Sequence, residues 1–403
     1  MVSSRVVAMI FAQQTSAENA RIAYGSCSKH HLAQPLWPAV RARRPRAWVW
    51  AGDIIYGDKL VSLLPPRFES LGLEFLKDAY AAQAALPEYA ALLREVPEFV
   101  ATWDDHDFGL NDADATLPFK NASREIFLAA TNTTPAAAEG VYNSRTVAVA
   151  GGSVHIIALD MRFFRTPYNS AGEGDFLGPD QWAWFVEELQ TPADAIVVVS
   201  SLQLLEGRGG AGENWGRFPA AQRRFLDALA RTETPLVVIS GDVHMAEISA
   251  ARCGAKTLVD VTSSGMTHSW ARQHILSGPR RHVGPLMTAA MRLAQALLPH
   301  EYQVLDEATG ARLNFLDLNF GELEFDFETR TLTARVFGED GPALERSFPL
   351  DALGVAGACI SWNGRLPGWR HAVAKALLLA SVLAMLFFVP ASVAAVLWRA
   401  YTR

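Results

Sequence analysis

Short runs of β-branched and aromatic residues recur along the chain, and each run ends in a cluster of polar residues. Longer stretches with apolar residues at three- and four-residue steps lie between several runs, which is typical of an α/β fold. Strands are predicted at residues 22–24, 48–51, 99–103, 155–159, 196–199, 236–239 and 257–261. Helices are predicted at residues 180–189, 219–230 and 285–298.

After Tyr302 the pattern changes to an alternation of apolar and polar residues. Residues 319–327 and 331–337 alternate in this way, and only residues 328–330 separate them. Such spacing predicts an antiparallel hairpin. Because strands joined through helices favour parallel pairing, the expected sheet contains both kinds of pairing.

Both ends of the chain differ from this middle part. Residues 376–398 carry no charge and as a helix would extend ~35 Å, enough to cross a hydrocarbon core of ~30 Å. The pattern predicts a single-pass membrane protein that contacts the lipid bilayer through this helix. Residues 1–19 have the outline of a signal peptide or an N-terminal extension. A cleaved signal would place the domain in a lumen or outside the cell, and otherwise the domain would face the cytosol.

These segments set the expected domain organisation. One main domain covers residues 20–353, because no repeat or internal linker divides it. Glycine and small residues become frequent after residue 353, which predicts a linker over 354–375. The membrane helix at 376–398 and a short tail at 399–403 complete the layout.

The composition is that of a globular protein and argues against nucleic acid as a general partner. Of 403 residues, 50% are apolar and 19% are charged, and the net charge is -6. The chain therefore has no basic surplus that would neutralise phosphates. The three cysteines, Cys27, Cys253 and Cys359, form no C-x-x-C pair. They predict neither a disulfide scaffold nor a structural zinc site.

Metal-ligating and acid–base residue types follow several predicted strands. Asp53 and Asp105 come after the second and third runs, and Asp242 and His244 come after the sixth. Taken alone, each of these residues could simply form a turn and need not bind a metal. In open α/β sheets, however, the carboxyl ends of the strands converge on one site. Such a set can hold two metal ions ~3.5–4 Å apart, so a di-metal centre is favoured. Whether Asp104 or Asp105 is the ligand stays open, because adjacent residues on an extended segment face opposite ways, and Asp105 is preferred.

Five segments in order carry a resemblance to a known family. They are GSC at residues 25–27, GDIIYGD at 52–58, TWDDHD at 102–107, LDMRFFR at 159–165 and GDVH at 241–244. With them the chain resembles the PhoD-like (alkaline phosphatase D-like) metallophosphatases, a branch of the calcineurin-like phosphoesterase superfamily, from about residue 22 to residue 348. The resemblance implies a four-layer α/β/β/α sandwich with mixed sheets and a di- or tri-metal centre. It also implies hydrolysis of phosphomonoesters or phosphodiesters through a metal-bridging hydroxide.

The resemblance further implies two sets of metal ligands. The ligands of an iron-type ion would be Cys27, Asp53, Tyr56 and His244, with Asp53 as the bridge to a second ion. The ligands of that neighbouring ion would be Asp105, Asn111 and Asp242. Thiolate and phenolate suit iron, whereas carboxylate and amide oxygens suit calcium, magnesium or manganese. The expected cofactors are therefore iron with calcium, and manganese, magnesium or zinc are alternatives.

Four residues are expected to act on the phosphate ester. His106 resembles the superfamily histidine that protonates the leaving oxygen, a task suited to imidazole near neutral pH. Arg162 resembles a phosphate clamp because a guanidinium offers forked donors to two oxygens, and Arg165 is the alternative. His268 is expected to line the substrate pocket.

Two other functions fit the sequence less well. Residues 207–212 match G-x-G-x-x-G, but six further residues precede the predicted helix at Pro219, so a dinucleotide site is disfavoured. The second alternative is a membrane-anchored binding protein that keeps this fold without catalysis, which fold alone does not exclude. The full set of expected ligands favours an enzyme.

Overall fold

The structure, a computed structural model, describes residues 20–63, 66–168, 173–205, 212–272, 302–304 and 313–362, together with 369, 373 and 376. Over these residues the chain forms two large sheets, each with parallel and antiparallel pairs, and helices that follow several of the strands. The predicted mixed α/β class is confirmed.

The first sheet has six strands and a short hairpin beside it. Its strands are β1 (Arg21–Gly25), β2 (Ala47–Ala51), β5 (Glu98–Thr102), β13 (Phe320–Asp326), β14 (Thr331–Gly338) and β15 (Gly341–Pro349). The spatial order is β15-β14-β13-β1-β2-β5, with β1, β2 and β5 parallel and the other pairs antiparallel. The separate hairpin consists of β3 (Asp58–Leu63) and β4 (Pro66–Ser70).

The second sheet has eight strands. They are β6 (Asn143–Val149), β7 (Gly152–Ala158), β8 (Ala195–Val199), β9 (Leu236–Ser240), β10 (Ala246–Cys253), β11 (Lys256–Ser263), β12 (Asn314–Phe315) and β16 (Cys359–Ser361). The order is β12-β10-β11-β9-β8-β7-β6, and β16 pairs with β10. Strands β7, β8, β9 and β11 are parallel, so their carboxyl ends lie at one edge.

Helices cover the outer faces of both sheets. They are α1 (Trp37–Ala42), α2 (Leu73–Ala84), α3 (Pro87–Glu95), α4 (Asp105–Phe108), α5 (Lys120–Thr131), α6 (Gly178–Glu188) and α7 (Pro219–Leu229). Because successive strand residues face opposite ways, Val49 packs between the two sheets while Trp48 and Trp50 pack beneath α1 to α5. Residues of α6 and α7 pack on the second sheet's outer face. Apolar burial on each side stabilises this arrangement.

Most of the predicted elements are present. Each of the seven strand runs overlaps a strand, although residues 103 and 159 lie one position beyond β5 and β7, and the antiparallel hairpin is β13 and β14. The first two predicted helices correspond to α6 and α7, both of which carry a proline in the first turn, where its missing N–H costs little. The third, at residues 285–298, lies outside the described residues.

The segment predicted as a linker begins as part of the second sheet. Strand β16 pairs antiparallel with β10, so that Cys359 lies opposite Cys253 with a Cα–Cα distance of 4.0 Å. The two cysteines form a disulfide, and Cys27 is the free thiol. The expectation of no disulfide was wrong, because a pair separated by 106 residues leaves no local spacing signal.

This disulfide is expected to stabilise the fold. Reduction should lower the free energy of unfolding by about 2–4 kcal/mol, because it frees a long loop in the unfolded chain. Urea unfolding with and without reductant measures the change. A Cys27→Ser variant keeps the disulfide and should respond to reductant like the parent, whereas a Cys253→Ser/Cys359→Ser variant should not respond. Equal unfolding midpoints for the oxidised and reduced parent would contradict the prediction.

The described helices are too short for a membrane span. The longest of them, α2 and α5, have 12 residues each, or ~18 Å, whereas a span needs ~20 apolar residues. Within the described ranges no helix is both long and apolar enough to cross a bilayer. This finding overturns the predicted single-pass membrane localisation and the contact with lipid through a C-terminal helix. Residues 1–19 and 377–398, on which the topology depended, lie outside the described residues.

Candidate metal centre

The carboxyl ends of the parallel strands in both sheets converge at one edge of the molecule. Cys27 follows β1, Asp53 follows β2 and Asp105 follows β5. From the second sheet, Asp242 follows β9 and Ser264 follows β11. Ligand sites of α/β proteins form at such strand ends. The edge therefore gathers thiol, carboxylate and hydroxyl groups from distant parts of the chain.

The backbone of four candidate ligands is left-handed. The φ angles are 60° at Cys27, 53° at Asp53, 69° at Asp242 and 54° at His244. Such conformations cost on the order of 1–3 kcal/mol each and concentrate at functional sites. At these four residues the strained backbone turns the donor side chains toward a common point.

Glycines precede two of these aspartates because the strand ends pass close to other chain segments. A Cβ at Gly52, whose φ is +92°, would lie 2.7 Å from the Cβ of Asp104. A Cβ at Gly241 would lie 2.5 Å from Oγ of Ser26. Both distances are below normal contact. The Gly-Asp pairs of the sequence therefore reflect steric need as well as turn formation.

A chain of contacts links the thiol, a carboxylate and a phenol. Sγ of Cys27 lies 3.5 Å from Oδ2 of Asp53 and 3.0 Å from Oγ of Ser264. The hydroxyl of Tyr56 donates to the same Oδ2 of Asp53 at 3.2 Å, and it lies 3.0 Å from Nε2 of His268. Asp53 is thus the common neighbour of both donor types expected for iron.

His244 joins this group through the loop after β9. Its ring centroid lies 4.5 Å from that of His268, and its backbone N–H donates to Oγ of Ser264 at 2.8 Å. Ser264 therefore contacts both the thiol and the segment that carries His244.

Three groups of carboxylates and histidine bring potential ligand atoms within 4.8 Å of one another. They are Asp53 with Asp105 and His106, Asp104 with Asp105 and Asp242, and Asp105 with Asp112 and Glu213. Asp105 is common to all three. Burial, and then the nearby carboxylate of Asp104, raise the pKa of Asp242. Burial also raises the pKa of Asp104, to about 6. Carboxylates this close disfavour each other's ionised form.

The surroundings disfavour the ionised forms of the Cys27 thiol, the Tyr56 phenol and the Asp53 carboxyl. Burial first, and Asp53 second, raise the pKa of the Cys27 thiol and of the Tyr56 phenol. Burial raises the pKa of Asp53, opposed by His106 and reinforced by Asp105. A bound cation would reverse these effects. Oδ1 of Asp53 is buried without a hydrogen bond, so the donor set fits a metal centre.

His106 is held by a carboxylate from the neighbouring hairpin. Its Nδ1 lies 2.6 Å from Oδ1 of Asp58, whose Oδ2 accepts the backbone N–H of Asn111 at 2.7 Å. The His106 ring also stacks on Tyr56, with centroids 3.9 Å apart. Burial alone would lower the pKa of His106, but the carboxylates of Asp105 and Asp58 outweigh it and raise the pKa. Protonated imidazole is the form that donates a proton.

The last aspartate of TWDDHD has a structural role. The carboxylate of Asp107 accepts the backbone N–H groups of Ile54 and Ile55 at 3.1 Å. It also accepts the hydroxyl of Tyr80 at 2.8 Å and the N–H of Asp104 at 3.1 Å. Asp107 therefore fixes the loop after β2 to the loop after β5, and so fixes Asp53 relative to the Asp104–Asp105 pair.

Both arginines predicted to bind phosphate are engaged by protein groups. The guanidinium of the fully buried Arg162 donates to Asp104, and its Nη2 lies 2.7 Å from Oε2 of Glu213. Nη2 of Arg165 donates to the backbone oxygen of Asp112 and lies 3.7 Å from Oε1 of Glu213. Each arginine compensates buried carboxylates, which would be costly to leave unpaired.

The structure brings most of the predicted site residues together at this edge. Cys27, Asp53, Tyr56, Asp105, His106 and His268 contact one another or share a group, and Asp242 lies with Asp105. The backbone N–H of Asn111 donates to Oδ2 of Asp58 at the same place. Asp104 and Asp105 both face the cluster because β5 ends at Thr102 and α4 begins at Asp105, so strand alternation does not apply.

Sequence reasoning missed four residues of the site. They are Asp58, Asp112, Glu213 and Ser264. Asp58 closes the GDIIYGD segment and was available as a motif residue. Glu213 follows a glycine-rich stretch and precedes α7, and no pattern marks it as a partner of Arg162.

The sequence profile of the PhoD-like phosphatase family matches residues 22–268. That match spans more than half of the chain and contains every predicted ligand, and the chain belongs to this family. No curated protein matches the chain.

Among solved structures, the chain is similar to purple acid phosphatase PPD1 from seeds of yellow lupin (Lupinus luteus). The sequence identity is 10% and the TM-score is 0.47. The similarity covers 86% of this chain and 57% of that chain, so the chain spans little more than half of that protein's length.

Proposed function

We propose that this protein is a metal-dependent phosphoesterase that hydrolyses phosphomonoesters or phosphodiesters on a four-layer α/β/β/α sandwich. The single observation that carries the proposal is the convergence of a thiol, a phenol and several carboxylates around Asp53. Burial disfavours their ionised forms, and a metal cation is the group that stabilises such a set. Family membership supports the phosphate-ester chemistry.

Two ligand sets follow from the donor types. Cys27, Asp53, Tyr56 and His244 would hold an iron-type ion, because thiolate and phenolate suit iron. Asp105, Asn111 and Asp242 would hold the second ion, with calcium as the proposed metal because its ligands are oxygens. Asp53 would serve both ions. When bound, such ions act as Lewis acids that polarise the phosphoryl group and activate water.

The chain's own residues would position the ester and move the proton. His106 would donate its proton to the leaving oxygen, and Asp58 would hold Nδ1 so that Nε2 is the nitrogen that exchanges the proton. His268 would line the pocket beside Tyr56. Arg162 and Arg165 are proposed to neutralise the buried carboxylates of Asp104 and Glu213. The two arginines would bind phosphate only by giving up these partners.

Hydrolysis of p-nitrophenyl phosphate and of bis(p-nitrophenyl) phosphate by the full chain tests the proposed function. We expect turnover of at least one ester after loading with iron and calcium, or with manganese. Chelation should remove this turnover, and metal added back should restore it. Turnover that is insensitive to chelation would contradict the metal centre. No turnover with iron, calcium, manganese, magnesium or zinc would favour a binding protein instead.

A further inference from the structure

The chain turns at the end of β1 so that a lysine follows the thiol at the site. The backbone N–H of Lys29 donates to Oγ1 of Thr267 at 2.8 Å, which fixes this turn against the segment that carries His268. The Lys29 ammonium lies over the ring of Tyr56, 4.8 Å from its centroid. The Lys29 side chain therefore places a cation beside the Tyr56 phenol, which donates to Asp53.

Acidic groups surround this ammonium, yet its hydrogen-bond donors are not used by neighbours. Burial lowers the pKa of Lys29, and Asp58, Cys27 and Asp53 oppose that shift. Among the described residues, no side chain forms an ion pair or hydrogen bond with Nζ of Lys29. The cation–π contact with Tyr56 leaves the three N–H donors available.

This availability distinguishes Lys29 from the arginines near the site. Arg162 and Arg165 are buried and contact Glu213. Lys29 is half-buried, and its flexible four-carbon stem lets the ammonium move without a change in the backbone. A substrate anion can therefore reach Lys29 without breaking an existing ion pair.

Resting on the proposed function, we propose that Lys29 binds the phosphate group of the substrate and favours phosphomonoesters over phosphodiesters. Above pH ~6 a monoester carries close to two negative charges, whereas a diester carries one. The attraction to a single fixed cation scales with the charge of the anion. The same ammonium therefore stabilises a bound monoester more than a bound diester.

The test compares Lys29→Met with Lys29→Arg in the full, metal-loaded chain. We expect Lys29→Met to raise KM for p-nitrophenyl phosphate roughly tenfold, as for loss of a charge-assisted hydrogen bond, with a smaller change in kcat. The KM for bis(p-nitrophenyl) phosphate should rise only about threefold, because half the charge gives half the interaction free energy. Lys29→Arg keeps the charge and should remain close to the parent. Equal changes in KM for both esters, or no change for either, would overturn the inference.

Titration with inorganic phosphate separates this inference from the proposed function. Calorimetry of the manganese-loaded chain should show phosphate binding that weakens roughly tenfold in Lys29→Met and is retained in Lys29→Arg. If the parent hydrolyses neither ester, the proposed function fails, and phosphate affinity alone then decides the role of Lys29. Equal phosphate affinity in the parent and in Lys29→Met overturns that role. Metal content is measured in parallel, and loss of metal from Lys29→Met would also overturn it, because the lysine would then serve the metal centre.

Discussion

Replacing Asp53 by asparagine is expected to reduce kcat/KM at least ~10³-fold, because metal-ion catalysis supplies several kcal/mol and each ~1.4 kcal/mol is a factor of ten in rate. Asp53 is the carboxylate nearest to both the Cys27 thiol and the Tyr56 hydroxyl. Asparagine keeps its shape and tolerates the left-handed backbone at this position, so the change removes charge with little effect on the loop.

Two measurements check this result. The rate of p-nitrophenyl phosphate hydrolysis should fall, and the metal content per chain, measured by atomic emission, should fall with it. Asp227→Asn on the exposed face of α7 makes the same chemical change away from the site and should leave both unchanged. An Asp53→Asn protein with activity within threefold of the parent would exclude Asp53 as a bridging ligand.

Replacing His106 by glutamine should lower kcat by ~10²–10⁴-fold for an alkyl phosphate, the range typical of a lost general acid. An alkoxide is a poor leaving group and needs a proton, whereas p-nitrophenolate departs readily without one. The loss should therefore be much smaller for p-nitrophenyl phosphate. Asp58→Asn should also lower kcat for the alkyl phosphate more than kcat for p-nitrophenyl phosphate. The reason is that Asp58 holds Nδ1 of His106 and fixes the ring.

The comparison of β-glycerophosphate with p-nitrophenyl phosphate makes this prediction specific. A merely structural role of His106 would reduce both rates by the same factor, and that outcome would exclude proton donation. His155→Gln supplies the control. His155 is buried on β7 between Thr146 of β6 and Glu188 of α6, so this change should leave the ratio of the two rates unaltered.

The strands and the position of the site could be predicted because local patterns carry them. Runs such as 196–199 and 236–239 are buried on both faces and are rich in β-branched residues, which is typical of parallel strands. Polar residues directly after such runs lie at the strands' carboxyl ends, so the sequence predicts that Asp53 and Asp242 lie at the same edge of the molecule. The Gly-Asp pairs gave the same signal.

The contacts that depend on long sequence separations could not be predicted. The Cys253–Cys359 disulfide and the pairing of Arg162 with Glu213 have no repeating pattern around them. The alternation rule also failed at Asp104, because the chain changes from strand to helix within three residues. The expected membrane helix rested on apolar length alone, and the described part of the chain contains no such helix.

The pairing of β1 with β13 has a consequence for the order in which the protein is made. Arg21 lies opposite Glu324, and their side chains also form an ion pair at 3.0 Å. A ribosome adds roughly 5–20 residues per second, so β1 waits on the order of 15–60 s for this partner. During that time one edge of β1 is unpaired, and unpaired edges recruit other chains. High contact order of this kind slows folding, so the first sheet is completed only after the hairpin of β13 and β14 has been made.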